Sequence, residues 1–375
     1  MTSRQSRITT GTVLLHGDLH NHSLFSDGSG DPEQAFVMMR EAGLDVAALT
    51  DHASIPHHAI PDLDPAVYPD EEGMRRARAA PRSFDEAGWR RTAELADAAD
   101  VPGEFTAIRG FEWTEPWLGH ANVWFSDGYH DVQRPGVVEG LHEWLSEHEP
   151  DALFGYNHPG REPGRFGDFT FLPALGGRMV ALEAFNRTDD YLFGGCEDGG
   201  RPPIAACLDA GWRPGLIGVS DEHGPDYGVV GRGRTGIWAG EHSRDGVREA
   251  LLSRRTFATR EVGLRLDATL GGVRMGGNVE TGRQELAVDL DAGERWSGAL
   301  ELQVLVPGED GLPQPLLQLA VDPDSVTRTE IELPAGTRWA FVRVADASRR
   351  NRWPGPEGHC GNAYGVAYAS PWYPR

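Results

Sequence analysis

Short apolar segments alternate with helix-like segments from residue 12 to about residue 255, and this alternation limits the possible folds most strongly. Such alternation predicts βα units arranged around a parallel sheet or barrel. The first unit is the clearest, because a strand over 12–20 is followed by Asp31 and Pro32, which can cap and begin a helix that ends at Gly43. We therefore expect an α/β fold.

Six further segments in this region have the pattern of strands, and four have the pattern of helices. Residues 56–83 interrupt the alternation with a proline-rich, charged stretch, which predicts a long loop that covers a site or contacts another subunit. The further strands are predicted over 45–52, 105–113, 120–126, 152–160, 178–186 and 215–224, and the helices near 84–99, 139–148, 202–210 and 245–254.

Beyond about residue 260, apolar and polar residues alternate along short segments separated by Gly, Pro and Asp turns. A period of two predicts half-buried strands, and several such strands in succession predict an antiparallel sandwich. We therefore predict two domains, a barrel or sheet domain over 12–260 and a small antiparallel β-sandwich domain over 261–375. The segments concerned are 264–270, 285–290, 299–306, 327–333, 339–345 and 364–370.

The composition excludes several classes of function. A net charge of −22 argues against a general nucleic-acid-binding protein, which needs a broad basic surface. No apolar run approaches the roughly 18 residues of a membrane span, and the N-terminal segment is too interrupted for a secretion signal, so we expect a cytoplasmic protein. Its partner is then a small-molecule substrate, with a homo-oligomer also possible. Three widely spaced cysteines give no thiolate zinc site.

Residues that commonly bind metals occur at the ends of the predicted strands. His20 and His22 are two residues apart, so they share one strand face with Asp18. Active sites of parallel barrels assemble at the carboxyl ends of the strands, where distant residues meet. Nitrogen and oxygen donors without thiolates suit zinc, manganese or iron. The other candidates are Asp51, His52, Glu112, His120, His158, Asp221 and His223.

The ordered segments "DLHNHSLFSDGSG", "ALTDH", "GFEWTEPWLGHANV", "NHPGR" and "GVSDEHG" resemble the PHP (polymerase and histidinol phosphatase) superfamily over residues 17 to about 260. Within it, "GFEWT", "GHANV" and "RRTFATREVGLRLDATLGGVRMGG" resemble the carbaryl-hydrolase (CehA/McbA) branch, in which a β domain follows the barrel. The resemblance implies a distorted, TIM-like (β/α)7 barrel, in agreement with the count of about seven strands.

The same resemblance implies two or three divalent metal ions. Asp18 and Asp51 would orient imidazoles that bind the metals. Glu112 can act as a bridge because a carboxylate has one oxygen for each of two cations. The resemblance assigns His20, His22, Glu112 and Asp221 to one cation, Glu112, His120 and His158 to a second, and Asp27, His52 and His223 to a third.

A rival fold is the amidohydrolase barrel, which also begins with an HxH pair and often bridges two metals through a carboxylated lysine. The chain contains no lysine, so the lysine-bridged version is excluded. Amidohydrolases with a single metal remain possible on this argument.

Two or three cations at this site would lower the pKa of a shared water towards about 7 and give a metal-bridged hydroxide. The leading hypothesis is a hydrolase, a phosphatase or phosphodiesterase acting on a small phosphoester, in which Arg161 and Arg187 bind the anion. His57 and His58, in the predicted loop, could also reach the site. The group that protonates the leaving group is not identified.

Two alternatives remain open. One is a carbamate or carboxylic ester hydrolase of the carbaryl-hydrolase type, which would need an aromatic pocket more than arginines. Another is a non-catalytic barrel that binds metal for structural or regulatory purposes. The aromatic residues nearest the motifs are Trp113, Trp117, Tyr129 and Tyr227.

Overall fold

The computed structural model describes residues 4–54, 83–132, 138–196 and 200–375. Residues 55–82, which include His57 and His58 and nearly all of the predicted loop, lie outside the described residues. The helices are α1 (Pro32–Glu41), α2 (Glu86–Ala99), α3 (Glu139–His148), α4 (Pro203–Ala210) and α5 (Arg244–Leu252), with a left-handed helical turn over Arg165–Phe169.

The strands are β1 (Val13–Asp18), β2 (Val46–Leu49), β3 (His52–Ser54), β4 (Thr106–Glu115), β5 (Gly119–Trp124), β6 (Leu153–Tyr156), β7 (Met179–Asn186), β8 (Asp189–Asp190), β9 (Gly215–Val219), β10 (Arg234–Ala239), β11 (Thr256–Thr259), β12 (Arg265–Leu270), β13 (Val273–Arg274), β14 (Asn278–Val279), β15 (Gly282–Asp291), β16 (Leu300–Pro307), β17 (Pro313–Val321), β18 (Asp324–Leu333), β19 (Phe341–Arg350), β20 (Ala363–Ala369) and β21 (Tyr373–Pro374).

The helices begin where capping residues occur in the sequence. The Asp31 side chain accepts a hydrogen bond from the backbone N–H of Glu33 at the start of α1, and Pro32 occupies the first turn. Asp85 and Ser243 cap α2 and α5 in the same way. Helix α3 spans the predicted residues 139–148. Among the helices of the described ranges, none has the length and apolar character needed to cross a membrane.

A large mixed sheet of 15 strands confirms the α/β class but not the closed (β/α)7 barrel. Strands β1, β2 and β4 run parallel, as do β6, β7 and β9. Strand β5 runs antiparallel to both β4 and β6, and β10 is antiparallel to β1. The expected barrel was wrong at β5 because the connection from Glu115 to Gly119 is far too short for a parallel crossover.

The sheet curves until β9 approaches β1 and β10. Asn21 and Glu222 form a parallel bridge, and the Thr235 hydroxyl donates to the Gly218 carbonyl at 2.7 Å. A Cβ on Gly218 would lie 2.6 Å from the Arg234 carbonyl oxygen, so this close approach requires glycine. Within the described ranges, no continuous ladder joins β9 to β1 or to β10, and the sheet is not closed.

Most strands beyond residue 260 lie in two layers, and β14 and β21 form a separate two-stranded parallel sheet. Strands β12, β13, β15 and β18 form a four-stranded antiparallel sheet, whereas β16, β17, β19 and β20 extend the large sheet from β11. One hydrophobic cluster fills the space between the layers and includes Leu266, Val288, Leu302 and Val344. The predicted boundary near residue 260 stays a prediction, because backbone pairing continues across it from β11 to β20.

Candidate metal centre

The nine residues predicted as metal ligands lie in one cluster, and five of its imidazoles surround the side chain of Glu112 on β4. Its carboxylate is 1% exposed and lies at the centre of a ring of imidazoles. The shortest separations between a Glu112 oxygen and an imidazole nitrogen are 3.2 Å for His20, 3.5 Å for His22, 2.7 Å for His52, 3.2 Å for His120 and 3.4 Å for His158.

The first group consists of His20, His22, Glu112 and Asp221. The Nε2 atoms of His20 and His22 are 3.0 Å apart. His20 Nε2 lies 3.5 Å from Asp221 Oδ1 and 3.2 Å from Glu112 Oε1. His22 Nε2 lies 3.2 Å from Asp221 Oδ1 and 3.5 Å from Glu112 Oε2. Four donors placed about 2.0–2.1 Å from one zinc ion at tetrahedral angles lie about 3.3 Å from one another. His20, His22 and Glu112 therefore form a set of donors that could hold one cation, and Asp221 Oδ1 lies beside both imidazoles.

The second group shares Glu112 with the first. Glu112 Oε1 lies 3.2 Å from His120 Nδ1 and 3.4 Å from His158 Nε2. The same oxygen is 3.2 Å from His20 Nε2. The Glu112 carboxylate thus lies between the two groups, which is the position that the predicted bridge requires.

The third group lies on the more exposed side of the cluster. Asp27 Oδ1 is 3.4 Å from the Nε2 atoms of both His52 and His223. The ring of His22 packs 4.0 Å from the His223 ring and 4.3 Å from the His52 ring, measured between centroids. These four side chains form a set of donors that could hold one cation.

The backbone around the cluster is strained at three non-glycine residues. His158, Arg187 and Asp221 have φ angles of 27°, 54° and 48°, in the left-handed region that side chains with a Cβ rarely adopt. Strain of this kind concentrates at functional sites, where surrounding structure holds it in place.

The charges of the cluster suit cations. Burial raises the pKa of Glu112, but the imidazoles of His20 and His120 outweigh burial and hold this pKa well below its usual range. The pKa of Asp221 is lowered in the same way by His20 and His22. Within the described residues, Glu112 Oε2, Asp221 Oδ2 and His22 Nδ1 are buried and make no hydrogen bond. Their charged neighbours, such as His52 Nδ1 at 2.7 Å from Glu112 Oε2 and Arg187 Nε at 3.4 Å from Asp221 Oδ2, do not form hydrogen bonds of good geometry, and a cation would satisfy these buried atoms.

Two carboxylates that the sequence analysis missed orient the histidines. Glu183 Oε1 lies 2.8 Å from His20 Nδ1, and Glu162 Oε2 lies 3.2 Å from His158 Nδ1. A carboxylate at one ring nitrogen fixes the tautomer and leaves the other nitrogen free to bind a metal. A signal for Glu183 was present in the sequence, because it is a single carboxylate in the middle of the apolar strand β7. Burial of an unpaired charge is costly, so a carboxylate at this position indicates a buried partner.

Glu112 is oriented by a neighbour that the analysis also missed. The Asn157 side-chain amide donates to Glu112 Oε1 at 2.7 Å, and Asn157 Oδ1 accepts from the backbone N–H of Asn122 at 3.2 Å. Asn157 precedes His158 in the "NHPGR" segment, so one short stretch of chain supplies both a candidate ligand and the group that positions the bridge.

Asp18 and Asp51 contact the chain differently from the prediction that they orient imidazoles. Asp18 Oδ1 accepts from the backbone N–H of Ser220 at 3.1 Å and so ties the end of β1 to the end of β9. Asp51 accepts from the backbone and hydroxyl of Ser23 at 2.7 and 2.8 Å, and from the Ser26 hydroxyl at 2.6 Å. It therefore holds the loop that carries Asp27.

Arg161 and Arg187 flank Asp221 at the exposed face of the cluster. Arg161 donates to His158 Nε2 at 2.9 Å, and Arg187 donates to His223 Nδ1 at 2.9 Å. Their guanidinium groups lie 3.6 and 3.4 Å from Asp221 Oδ2. The two side chains are 39% and 40% exposed, so both guanidinium groups remain accessible from solvent.

The aromatic residues named as a possible pocket are used in packing. Trp113 is buried in the core, and Trp117 and Tyr129 pack against the same core. The Tyr227 hydroxyl donates to the His22 carbonyl at 2.8 Å and so supports the first group from behind.

Two solved structures are similar to the chain. A two-domain protein of Bacteroides vulgatus, described as containing a PHP-like metal-dependent phosphoesterase assigned by prediction, is 21% identical and has a TM-score of 0.49, with 98% of each chain covered. A candidate metal-dependent phosphoesterase of Bifidobacterium adolescentis is 15% identical with a TM-score of 0.32, covering 64% of this chain and 96% of that one.

A family model described as a protein of unknown function (DUF3604) matches residues 63–135. No curated protein matches the chain. At these identities, TM-scores and coverage, the similarities carry no functional argument, which rests instead on the geometry of the cluster.

Proposed function

We propose that the chain is a metal-dependent hydrolase of the PHP type that acts on small phosphoesters and holds two or three divalent cations. One observation supports this proposal above the others: a buried cluster centred on Glu112 lies directly beside two accessible guanidinium groups, those of Arg161 and Arg187. Divalent cations in such a site act as Lewis acids and lower the pKa of water.

The residues of the site have three different roles in this proposal. Glu112 and Asp221 supply the negative charge that balances the cations, while Glu183 and Glu162 keep two histidines in one tautomer. Because a guanidinium presents paired N–H donors, Arg161 and Arg187 can each bind two phosphoryl oxygens. Their charges offset the negative charge that develops on these oxygens during transfer.

We further propose that the substrate is a small molecule rather than a nucleic acid. A net charge of −22 repels a polyanion, whereas a small phosphoester needs only the local positive charge of the site.

Hydrolysis of a carbamate or carboxylic ester is the second candidate, because the same cluster could act on a carbonyl carbon. The two arginines favour the phosphoester, and the named aromatic residues are packed in the core instead of lining the site. A non-catalytic metal-binding protein would have no use for two guanidinium groups held beside the donors.

The test combines elemental analysis with a substrate panel. Protein purified without chelator should contain at least two transition-metal equivalents per chain. The panel comprises 4-nitrophenyl phosphate, bis(4-nitrophenyl) phosphate, 4-nitrophenyl acetate and an aryl N-methylcarbamate. We expect turnover of a phosphate substrate; turnover of the carbamate alone would reverse the ranking, and a metal-loaded protein that hydrolyses none of them would favour the non-catalytic alternative.

A further inference from the structure

One buried carboxylate, that of Glu183, contacts both cation groups that share Glu112. We propose that Glu183 is a positioning residue that couples these two groups, so that cation binding at one depends on the same side chain as cation binding at the other. The inference rests on the proposed metal centre and is independent of the reaction that the centre performs.

Both oxygens of Glu183 are occupied. Oε1 lies 2.8 Å from His20 Nδ1, in the first group. Oε2 accepts from the backbone N–H of His158, in the second group, at 2.6 Å, and from the Asn186 side-chain amide at 2.8 Å. The side chain is 0% exposed, so these contacts are shielded from water. A buried carboxylate with three partners is compensated and stays ordered.

The contact with His20 decides which ring nitrogen is free. A carboxylate beside Nδ1 keeps the proton there, so that the Nε2 lone pair is available to a cation held between Nε2, Glu112 and Asp221. Without this partner the ring could rotate or adopt the other tautomer, and the first group would lose one donor.

The contact with His158 holds a strained backbone. His158 has a φ of 27°, and the hydrogen bond from its N–H to Glu183 fixes the position from which the ring extends. The ring itself is oriented separately by Glu162 at Nδ1. Loss of Glu183 therefore affects the second group through the main chain, whereas loss of Glu162 affects it through the His158 ring and through Arg161, which contacts the same ring.

An irregularity in the sheet accompanies the placement of Glu183. The register between β7 and β9 shifts between Glu183, opposite Ile217, and Phe185, opposite Gly218. Bulges of this kind redirect side chains and are frequent beside active sites. The strand thus departs from regular pairing at the residue that contacts both groups.

The experiment compares three variants of the full-length protein after chelator treatment. Glu183→Gln keeps the size of the side chain and removes its charge. Glu162→Gln makes the same change at a carboxylate that contacts one histidine of the cluster, His158, and the guanidinium of Arg161. The matched control is Asp190→Asn, because Asp190 is also a buried carboxylate, 1% exposed, but it contacts Tyr368, the backbone of Leu192 and Arg343.

Each protein is titrated with Co²⁺ while the visible absorption spectrum and the number of bound equivalents are recorded. Loss of a carboxylate that orients a ligand lowers metal affinity about 10–100-fold. We expect Glu183→Gln to weaken two equivalents together and to change both spectral components, and Glu162→Gln to weaken one. Asp190→Asn should match the wild type.

Binding by Glu183→Gln that matches Asp190→Asn, or loss of a single equivalent, would overturn the coupling. If Glu183→Gln does not fold, Glu183→Asp tests the same point, since it keeps the charge but withdraws it by one methylene; wild-type binding by that variant would also overturn it. A wild-type protein that binds no Co²⁺ refutes the metal centre itself. A wild type that binds Co²⁺ but hydrolyses nothing refutes only the proposed reaction.

Discussion

His52 pairs with Glu112 across the parallel β3–β4 ladder, and its Nδ1 lies 2.7 Å from the Glu112 carboxylate. Strand pairing thus brings a residue from one motif against the centre of the cluster. Glu112 has the greatest number of imidazole neighbours among the candidate ligands, so its substitution should affect more than one cation.

Glu112→Gln should lower metal content by more than one equivalent and reduce kcat/KM by at least about 100-fold, because an amide cannot balance or bridge two cations. Elemental analysis and phosphoester turnover measure the two effects. Glu115→Gln on the same strand is the control, since the Glu115 carboxylate accepts from the backbone N–H groups of Trp117 and Leu118. A Glu112→Gln protein with full metal content would contradict the bridging role.

Arg161→Gln and Arg187→Gln should each reduce kcat/KM for a phosphate substrate by about 10–100-fold, because a hydrogen bond from a charged donor contributes about 1.5–3 kcal/mol. Metal content should stay within error of the wild type. Arg201→Gln, which removes an exposed arginine paired with Asp209, is the control. If kcat/KM is unchanged in both site variants, the arginines do not bind the substrate.

Removal of metal by a chelator should abolish turnover and lower the melting temperature. Ligands that bind the folded state stabilise it by about 2.7 kcal/mol at 100 times their Kd. Re-addition of Zn²⁺ or Mn²⁺ should restore both properties, as measured by calorimetry and by assay. An unchanged melting temperature after verified metal loss would contradict binding of the lost metal within the cluster of the folded protein.

Acid should destabilise the protein through His142 of α3, whose pKa burial lowers to about 4. Its unfolded-state pKa is about 6.5, so the unfolded chain takes up this proton first as pH falls. The stability contributed by the neutral ring is therefore complete above about pH 6.5 and is lost towards pH 4, at up to about 1.4 kcal/mol per pH unit.

Urea unfolding at pH 7.5, 6 and 5 measures this slope. His142→Gln should make the decline shallower by as much as one proton's contribution, whereas His148→Gln, on an exposed position of the same helix, should leave it unchanged. Equal slopes for the wild type and His142→Gln would show that His142 does not titrate abnormally.

Much of the site could be predicted because strand ends bring distant residues together. Asp27, His158 and Asp221 lie in separate segments of the sequence, yet the structure places them in one cluster. The positioning groups could not be predicted in the same way. Glu183 is an isolated carboxylate in an apolar strand, which in the sequence argues against a buried strand at this position. Only the tertiary contact with His20 explains why a carboxylate is buried there.

The fold was harder to predict because strand direction depends on connection length. The segments 105–113 and 120–126 both have strand composition, but six intervening residues cannot form the dozen-residue crossover of a parallel pair. That constraint was present in the sequence. The approach of β9 to β10 depends instead on Gly218, because the Arg234 carbonyl lies too close to this position for a side chain, and the sequence alone does not show that contact.

No continuous ladder joins β9 to β1 in the described residues, and we call this break in the backbone pairing, beside the cluster, the seam. His20 and His22 lie on one side of this seam and Asp221 on the other, joined by the Asn21–Glu222 bridge and the Asp18 contact with Ser220. A cation bound by these residues would cross-link the two sides of the seam. Amide hydrogens at residues 219–222 should then exchange more slowly with solvent when the cation is bound, which would link the candidate metal centre to local opening of the sheet between β9 and β1.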